Sequence, residues 1–456
     1  MHTRHGLHIA IVGSGPSGFY AAEALLAAVP EVRIDMFERL PTPFGLVRSG
    51  VAPDHQKLKQ PIRVFEEIAR SPNFNLVGNV TVGDQVSTEE LRSAYNAVIF
   101  ACGASHDRRM NIPGEDLLGS HTATEFVGWY NGHPDYCDRV FDLDQEVAVI
   151  VGQGNVAADI CRILMRPVDE LRTSDIAEHA LEALTRSKVR EVHIVGRRGP
   201  VQTKFTSKEL RELASLTGTV ATAEQEPLAL SDTCYAELAS PKSAVAKRNV
   251  DLFRSLAGVV ADGSSRHIHF RFLASPVALL GESRVERVRL AHNRLSGEAF
   301  EQVAVPTGEH EDLDCGLVFR SIGYKGVAIA GLPFDEARGV LPNTGGRVHE
   351  GGTSLAGVYV TGWLKRGPSG IIGTNRADSL ETVEALLHDL SKAAPAPAPG
   401  LPGILPIIER RSGRVISFSE WAVIDAAEVD KGARRGKPRE KFTRIDEMIK
   451  VLSPTM

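Results

Sequence analysis

Two glycine-rich turns are the parts of this sequence whose residue types and spacing could do chemistry. The first turn has the pattern Gly13-x-Gly15-x-x-Gly18, and Glu38 follows 25 positions after Gly13. The first glycine permits a tight turn, the second lets backbone amides approach a pyrophosphate, and the third lets a helix pack closely on a strand. An acidic residue near that distance can accept a hydrogen bond from an adenosine ribose. The pattern therefore predicts a dinucleotide site.

The second glycine-rich segment differs from the first in two ways, and one of them indicates which nucleotide it binds. It has the pattern Gly152-x-Gly154-x-x-Ala157, with alanine in place of the third glycine. Where an acidic residue would follow the next strand, the sequence has Arg197 and Arg198. Two guanidinium groups can pair with a 2'-phosphate, whereas a carboxylate would repel it. This site is therefore predicted to prefer NADP over NAD.

The segments around both turns must position them, and both have the pattern of a strand, a turn, a helix and a second strand. In the second segment, 45 positions separate Gly152 from Arg197. Because the usual separation is about 20, we expect an insertion at about residues 166–188. The predicted elements are, in order, a strand at 8–12, a helix at 19–29 and a strand at 32–37, then a strand at 147–151, a helix at 158–165 and a strand at 191–195.

The composition is typical of a globular protein and argues against nucleic-acid and membrane partners. The chain has 456 residues, of which 43% are hydrophobic and 24% charged, and these values are typical of globular proteins with two to four domains. Its net charge of -5 makes nucleic acid an unexpected partner. No apolar run approaches the ~20 residues of a membrane span, and the N-terminal apolar run is short, so we expect neither a membrane partner nor a signal peptide.

The five cysteines are far apart in the sequence, at positions 102, 137, 161, 234 and 315. This spacing excludes a CxxC redox motif, a zinc ribbon and a cysteine-ligated iron–sulfur cluster, and it argues against a secreted disulfide scaffold. We therefore predict no metal site and a reducing, cytoplasmic location.

Three longer runs carry a resemblance to a known family. The runs are LPTPFGLVRSGVAPDH at 40–55, VGRRGP at 195–200 and GWLKRGPSGIIGTN at 362–375. They resemble the adrenodoxin reductase family, and are most similar to its mycobacterial-type NADPH:ferredoxin reductase branch, over about residues 7–390. The resemblance implies an α/β protein of glutathione-reductase-like architecture with two Rossmann-like domains, one for FAD and one for NADP. We expect this α/β protein to have a small C-terminal extension as well.

The resemblance and the composition together give a domain plan. An Ala/Pro alternation near residue 395 predicts a semi-rigid extended linker. The plan has an FAD-binding domain at 1–107 and 323–390, an inserted NADP-binding domain at 108–322, the linker at 391–406 and an appendage at 407–456. Two roles are open for the appendage: packing on the main body or docking a partner.

The resemblance also implies site residues. His55 and Glu212 look like a pair that orients the nicotinamide or relays a proton, with a purely structural role as the alternative. The FAD contacts that it implies are Gly13, Ser14, Gly15, Ser17, Gly18, Glu38, Leu46, Val82, Trp363, Gly370, Ile371 and Ile372. The NADP contacts that it implies are Arg108, Gln153, Gly154, Asn155, Val156, Arg197, Arg198 and Glu209, with Gly370 near the nicotinamide.

The function that these features predict is hydride transfer from NADPH to FAD, followed by single-electron transfer to a ferredoxin. Because no dithiol pair is present, electrons are not expected to leave through a disulfide, as they do in thioredoxin and glutathione reductases. An acidic ferredoxin would need a local basic surface. The candidates are Lys204, Lys208, Arg211, Lys242, Lys247, Arg248 and Arg254.

Other functions share part of this pattern. An NADPH-dependent diaphorase or quinone reductase, and a nucleotide-binding redox sensor without turnover, both stay open. A flavin monooxygenase would need an added substrate domain, which the sequence does not suggest. A subunit like the small chain of glutamate synthase would need a cysteine-rich N-terminal segment, which this sequence lacks.

Overall fold

A computed structural model describes residues 6–259, 266–392, 396–412 and 414–453. The chain divides into two compact units. The first unit contains the residues up to 106, residues 131–134 and the residues from 323 onward, and the second contains 107–130 and 135–322. The sequence had assigned residues 131–134 to the inserted domain. They belong instead to the unit formed by the two ends of the chain.

Eighteen strands are formed by the described residues. In chain order they are β1 (His8–Val12), β2 (Arg33–Glu38), β3 (Phe74–Gly78), β4 (Ala97–Phe100), β5 (His106–Asp107), β6 (Ser120–Thr122), β7 (Val147–Val151), β8 (Glu191–Val195), β9 (Thr219–Ala223), β10 (Arg266–Arg271), β11 (Ala274–Leu280), β12 (Arg287–Ser296), β13 (Val303–Asp314), β14 (Leu317–Arg320), β15 (Tyr324–Lys325), β16 (Asn343–Thr344), β17 (Arg347–Glu350) and β18 (Thr353–Val360).

Sixteen α-helices accompany these strands in the described ranges. They are α1 (Pro16–Ala28), α2 (Gly45–Ser49), α3 (Pro61–Ala69), α4 (Thr88–Ala94), α5 (Ala123–Tyr130), α6 (Asn155–Met165), α7 (Val168–Leu171), α8 (Glu178–Thr185), α9 (Ser207–Ala214), α10 (Asp232–Ala239), α11 (Ala244–Leu256), α12 (Trp363–Arg366), α13 (Thr374–Leu390), α14 (Leu401–Ser412), α15 (Phe418–Ala433) and α16 (Ile445–Val451). None of the helices in the described part of the chain is both long and apolar enough to cross a bilayer.

The first unit is built on a seven-stranded sheet with the order β16-β17-β18-β4-β1-β2-β3. The five strands from β18 to β3 are parallel, while β16, β17 and β18 form an antiparallel edge. Strand β18 pairs with β4, so that Tyr359 lies opposite Ile99. The apolar strand β1 therefore lies at the centre of a sheet that is completed from both ends of the chain.

The second unit has a six-stranded parallel sheet with the order β6-β14-β7-β8-β10-β9. A separate antiparallel sheet follows the order β11-β12-β13. The expected insertion at 166–188 contains α7 and α8, and Leu171 and Leu181 are buried in the main core of this unit. Each unit has a parallel sheet with a glycine turn after a central strand, so the predicted α/β class with two dinucleotide-binding folds is confirmed.

The segment predicted as an extended linker is only partly extended. Residues 393–395 lie outside the described residues, and residues 396–400 have no regular structure, but Leu401 begins helix α14. Ile404 and Ile408 of this helix are fully buried, four positions apart on one helical face. Burial of this face offsets the unfavourable Pro406 inside the helix.

The residues predicted as an appendage are part of the core of the first unit. Trp421 and Ile424 of α15 are buried in the same apolar cluster as Phe44 and Phe65. The rings of Phe44 and Trp421 meet edge to face with centroids 6.0 Å apart. The sequence shows the small apolar cluster of the tail, but the rings that cover it come from positions more than 350 residues earlier.

Candidate functional site

Three glycines of the first turn have three different structural roles. Gly13 has φ +106°, and a Cβ there would lie 2.6 Å from the Ala101 carbonyl oxygen. A Cβ at Gly18 would lie 2.1 Å from the carbonyl oxygen of Gly13, so α1 packs closely against the turn. By contrast, a Cβ at Gly15 would have no heavy atom within 4 Å. The open space above Gly15 is where a pyrophosphate can approach the backbone.

Helix α1 presents its N-terminus at this open space. Gly15 is its N-cap residue, and no side chain caps the helix. The first amides of a helix have no partner inside it, and the helix dipole favours an anion beside them. This end of α1 therefore fits the diphosphate of FAD without any rearrangement.

Glu38 ends β2 beside the same turn. Its Oε2 accepts hydrogen bonds from Ser14 Oγ at 2.6 Å and from the Ser14 amide at 3.2 Å. Its Oε1 accepts one from the Leu40 amide at 3.0 Å. Because each carboxylate oxygen has two lone pairs, Oε1 can still accept a hydroxyl from a ribose. Ser14 and Leu40 therefore hold the Glu38 carboxylate in place, and its contact with a ribose stays a prediction.

The C-terminal part of the first unit also reaches the start of α1. Ser17 Oγ donates to Asn375 Oδ1 at 3.0 Å, and a Cβ at Gly362 would lie 2.2 Å from Ser17 Oγ. Asp378 accepts hydrogen bonds from the Gly362 amide at 2.6 Å and from Thr361 Oγ1 at 3.1 Å. Sequence reasoning missed Asp378, which lies three residues beyond the run at 362–375 that carried the resemblance.

Several predicted flavin contacts are apolar. Leu46 and Ile371 are 48% and 70% exposed. Trp363 stacks on Tyr324 with ring centroids 5.8 Å apart. Gly370 has φ +86°, so this position favours glycine. Val82 and Ile372 are partly buried against the core. The exposed apolar side chains fit a flat ring that would cover them.

We expect Gly15→Val to weaken FAD binding by about tenfold or more, which corresponds to about 1.4 kcal/mol or more. The valine side chain would occupy space that the pyrophosphate needs, while its Cβ would have no heavy atom within 4 Å. The measurement is the ratio of flavin absorbance to protein absorbance after dialysis. Gly258→Val is the matched control, since a Cβ at Gly258 also has no heavy atom within 4 Å. Full FAD content in Gly15→Val would contradict the assignment.

The second turn repeats this arrangement in the second unit. Gly152 has φ +128°, and a Cβ there would lie 2.1 Å from the Ser321 carbonyl oxygen. Gly154 is the N-cap residue of α6, and no side chain caps this helix. A Cβ added at Gly154 would have the Lys204 side chain as its nearest neighbour, at 4.0 Å. Ala157 is fully buried, so the third position accepts a methyl group here. The second helix N-terminus therefore also fits a diphosphate.

The side chains of Gln153 and Asn155 hold the loops around this turn. Gln153 Nε2 donates to the Arg271 carbonyl oxygen at 2.8 Å, and Asn155 Oδ1 accepts from the Thr206 amide at 2.8 Å. Val156 is partly buried against the core. Any contact of these three residues with a nucleotide stays a prediction.

Arg197 and Arg198 follow β8 directly, where the sequence predicted a 2'-phosphate site. Arg197 is exposed and Arg198 is half-buried. Burial lowers the pKa of Arg198, and the adjacent charge of Arg197 lowers it further. Neither guanidinium has an ion-pair partner among the described residues. The Glu237 carboxylate partly opposes these effects on Arg198 without forming an ion pair with it. Two neighbouring cations provide a favourable site for a dianion. Arg108 is exposed on the same unit.

Two predicted glutamates belong to a buried ion-pair network in the second unit. Arg162 is fully buried and its Nη1 donates to Glu209 Oε2 at 3.1 Å. Glu212 Oε1 accepts from Arg166 Nη2 at 2.7 Å and lies 3.8 Å from Arg162 Nε. These contacts fix the orientation of both carboxylates. His55 is buried in the first unit. The roles of His55, Glu212 and Glu209 toward the cofactors stay predictions.

The predicted basic residues share a location and are all exposed. They lie on α9, on α11 and on the segments that precede these helices, and the Arg248 Nε approaches Ser207 Oγ at 3.5 Å between the two helices. The exposed members are Lys204, Lys208, Arg211, Lys242, Lys247, Arg248 and Arg254. The five cysteines form no disulfide among the described residues.

Comparisons with known proteins agree with this geometry. Residues 7–216 match the family model described as pyridine nucleotide-disulphide oxidoreductase. The chain is 44% identical to the mitochondrial NADPH:adrenodoxin oxidoreductase of Salvelinus fontinalis, covering 97% of this chain and 90% of that protein. It is also 44% identical to the NADPH-ferredoxin reductase FprA of Mycobacterium tuberculosis, covering 97% and 98%. The solved structure of that FprA with NADPH has a TM-score of 0.92 and covers 98% of this chain and 100% of that chain, at 43% identity.

Proposed function

Because the chain belongs to the adrenodoxin reductase family, we propose that it oxidises NADPH and delivers the electrons to a ferredoxin-type iron–sulfur protein. It is an FAD-dependent oxidoreductase with FAD and NADP as its cofactors. When bound, FAD accepts a hydride from NADPH and can release electrons one at a time. The chain's own residues bind and orient the two nucleotides.

The observation that carries the proposal is the contrast between the two nucleotide sites. Glu38 ends the second strand of the first βαβ segment, whereas Arg197 and Arg198 follow the second strand of the other βαβ segment. A carboxylate suits the unphosphorylated ribose of FAD, and two unpaired guanidiniums suit the 2'-phosphate of NADPH. The chain thus has separate sites for an electron donor and for a flavin that receives the electrons.

The direct test is anaerobic reduction of an acidic [2Fe–2S] ferredoxin by NADPH, followed by the loss of ferredoxin absorbance. We expect that ferredoxin is reduced only when both the enzyme and NADPH are present. We also expect the enzyme to reduce ferricyanide at least as fast as it reduces ferredoxin. Reduction of quinones but not of ferredoxin would favour a diaphorase or quinone reductase. Yellow protein that reduces neither ferredoxin nor ferricyanide would favour a redox sensor without turnover.

We further propose that the partner is acidic and docks on the basic residues of α9 and α11. Lys247 and Arg248 are neighbours in α11, both are exposed, and neither forms an ion pair within the described residues. Complementary charge accelerates encounter between proteins and weakens as salt rises. The chain as a whole has a net charge of -5, so this basic surface is local.

Reversing both charges, in Lys247→Glu with Arg248→Glu, should raise the KM for ferredoxin by about tenfold or more at low salt. The reason is that attraction becomes repulsion at the docking surface. The difference from the unmodified protein should shrink at high salt, because ions screen exposed charges. The rate of NADPH-dependent ferricyanide reduction depends on NADPH binding and on flavin reduction but not on ferredoxin docking. This rate should stay unchanged.

Arg186→Glu with Lys188→Glu is the matched control for net charge. Both residues are exposed and lie between α8 and β8, outside the proposed docking surface. This control should leave the KM for ferredoxin near its original value. An equal rise of KM in both double variants would show that only net charge matters and would reject a local docking surface.

The location that we propose is a reducing compartment, the cytoplasm. The five cysteines form no disulfide among the described residues, which supports this proposal because disulfides are rare where thiols are kept reduced. The relatives from Mycobacterium are bacterial, whereas several relatives from eukaryotes carry the word mitochondrial in their names.

A further inference from the structure

Three histidines and a glutamate lie side by side on one face of the parallel sheet of the second unit. Glu191 and His193 belong to β8, and His267 and His269 belong to the adjacent β10. The register places His269 opposite His193 and His267 opposite Glu191. Because alternate residues of a strand face the same side, all four side chains share one face of the sheet.

Three of these side chains converge on one point. Glu191 Oε1 lies 2.8 Å from His193 Nε2 and 3.1 Å from His269 Nε2. The two imidazole rings stack with centroids 4.7 Å apart. A zinc ion with bonds of about 2.0–2.2 Å to nitrogen and oxygen holds neighbouring ligand atoms about 3 Å apart. Glu191 Oε1 is therefore already at this spacing from both histidine nitrogens, and all three ligand atoms lie within 4.8 Å of one another.

Thr222 provides a partner for the second ring nitrogen of His269. The Thr222 Oγ1 lies 2.9 Å from His269 Nδ1 and can accept a hydrogen bond from it. A neutral His269 with its proton on Nδ1 has a lone pair on Nε2, directed toward Glu191. Metal-binding histidines are commonly held in this way by a partner of the second ring nitrogen.

His193 provides an independent indication of a ligand. It is 7% exposed, its Nδ1 has no hydrogen-bond partner among the described residues, and its Nε2 approaches Glu191 Oε1 at 2.8 Å without hydrogen-bond geometry. A buried imidazole with no hydrogen-bond partner costs free energy unless a ligand satisfies it.

The surroundings leave room for a further ligand. A cavity of about 230 Å³ is lined by the two histidines, Thr222 and Arg271. The charge of Arg271 is compensated, because its Nε donates to Glu224 at 2.9 Å and its Nη2 donates to Glu311. A water molecule in this cavity could complete a four-coordinate site.

We propose that Glu191, His193 and His269 form a Zn²⁺ site with a fourth position open to water. The sequence prediction of no metal site considered cysteine spacing only. The sequence does contain a pattern typical of metal ligands, since Glu191-x-His193 and His267-x-His269 alternate in two strands. Only the strand register shows that the two patterns are adjacent. The site lies at the start of β8, whereas the NADP-binding arginines follow its end, so nucleotide binding should not require the metal.

The test is titration of the chelator-treated, FAD-containing protein with ZnCl₂ by calorimetry. We expect one Zn²⁺ per chain and a higher Tm with the metal, since a ligand that binds only the folded state stabilises it. Glu191→Gln and His269→Gln should each lose this binding. His267→Gln is the matched control, because it removes a histidine of the same face that is outside the three-residue set. Ferricyanide reduction by NADPH shows that each variant is folded.

A second variant separates a metal site from a simple hydrogen-bonded cluster. Thr222→Val keeps the shape of the side chain but removes the partner of His269 Nδ1, and should lower Zn²⁺ affinity by about 10- to 100-fold. Co²⁺ bound in place of zinc should give the visible absorption of a four- or five-coordinate site. The proposal would be overturned if the unmodified protein did not bind Zn²⁺, or if Glu191→Gln and His269→Gln bound Zn²⁺ as tightly as the unmodified protein does.

Discussion

Replacing Arg197 and Arg198 together with glutamine is expected to lower kcat/KM for NADPH by about 30- to 1,000-fold, or about 2–4 kcal/mol. Both guanidiniums lie directly after β8, and neither has an ion-pair partner within the described residues, so they are free to bind a phosphate. Each hydrogen bond between a guanidinium and a phosphate is charge-assisted and therefore stronger than a neutral one. The variant loses both charges while its backbone turn is preserved.

NADH is the internal control for this prediction. It lacks the 2'-phosphate, so its kcat/KM should change little, and the preference for NADPH should fall by nearly the full factor. Arg172→Gln with Arg186→Gln removes two exposed arginines elsewhere on the same unit and should affect neither nucleotide. Similar losses for NADPH and NADH would mean that the two arginines support the turn and do not recognise the phosphate.

Replacing Glu428 with glutamine is expected to destabilise the protein by about 3–5 kcal/mol, because it leaves a buried arginine without its counter-charge. Glu428 of α15 is fully buried and forms two hydrogen bonds with Arg48, at 2.6 and 2.9 Å. Its Oε1 also accepts from the Phe442 amide at 3.0 Å. The Arg48 guanidinium lies 4.9 Å from the centre of the Trp421 ring. Most of the network is therefore desolvated and depends on this one carboxylate.

The measurement is Tm, which should fall by about 6–20 °C at about 2–4 °C per kcal/mol for a unit of this size. Asp430→Asn is a matched control on the same helix, because Asp430 forms an ion pair with Arg434 in which both side chains are more than half exposed. Exposed pairs of this kind contribute only about 0–1 kcal/mol. Equal and small changes in both variants would show that the tail is not part of the cooperative core.

The contrast between these two predictions shows which features were accessible from the sequence. Arg197 and Arg198 follow a strand and a glycine turn by position alone, so their role could be predicted from local pattern. The same holds for Gly13, Gly15 and Gly18, whose roles depend on neighbours in the same βαβ segment.

The structural role of the C-terminal tail could not be predicted in this way. Its few apolar residues indicated that it packs on something, but the sequence contains no sign that Phe44 and Arg48 are the partners. The helix at Leu401 was also missed, because alanine and proline alternation favours an extended chain and only burial of Ile404 and Ile408 favours the helix.

The sequence alone determined the two nucleotide folds and their preferences, because glycine turns, helical periodicity and the charge after each strand act over about 30 residues. The tertiary structure decided which distant segments complete each site. It pairs β18 with β4, brings Asn375 to Ser17, buries Glu428 against Arg48 and places His269 opposite His193. The physical reason is that periodicity shows which face of an element is apolar or carries a ligand, whereas the partner of that face is selected by packing and strand register across the whole chain.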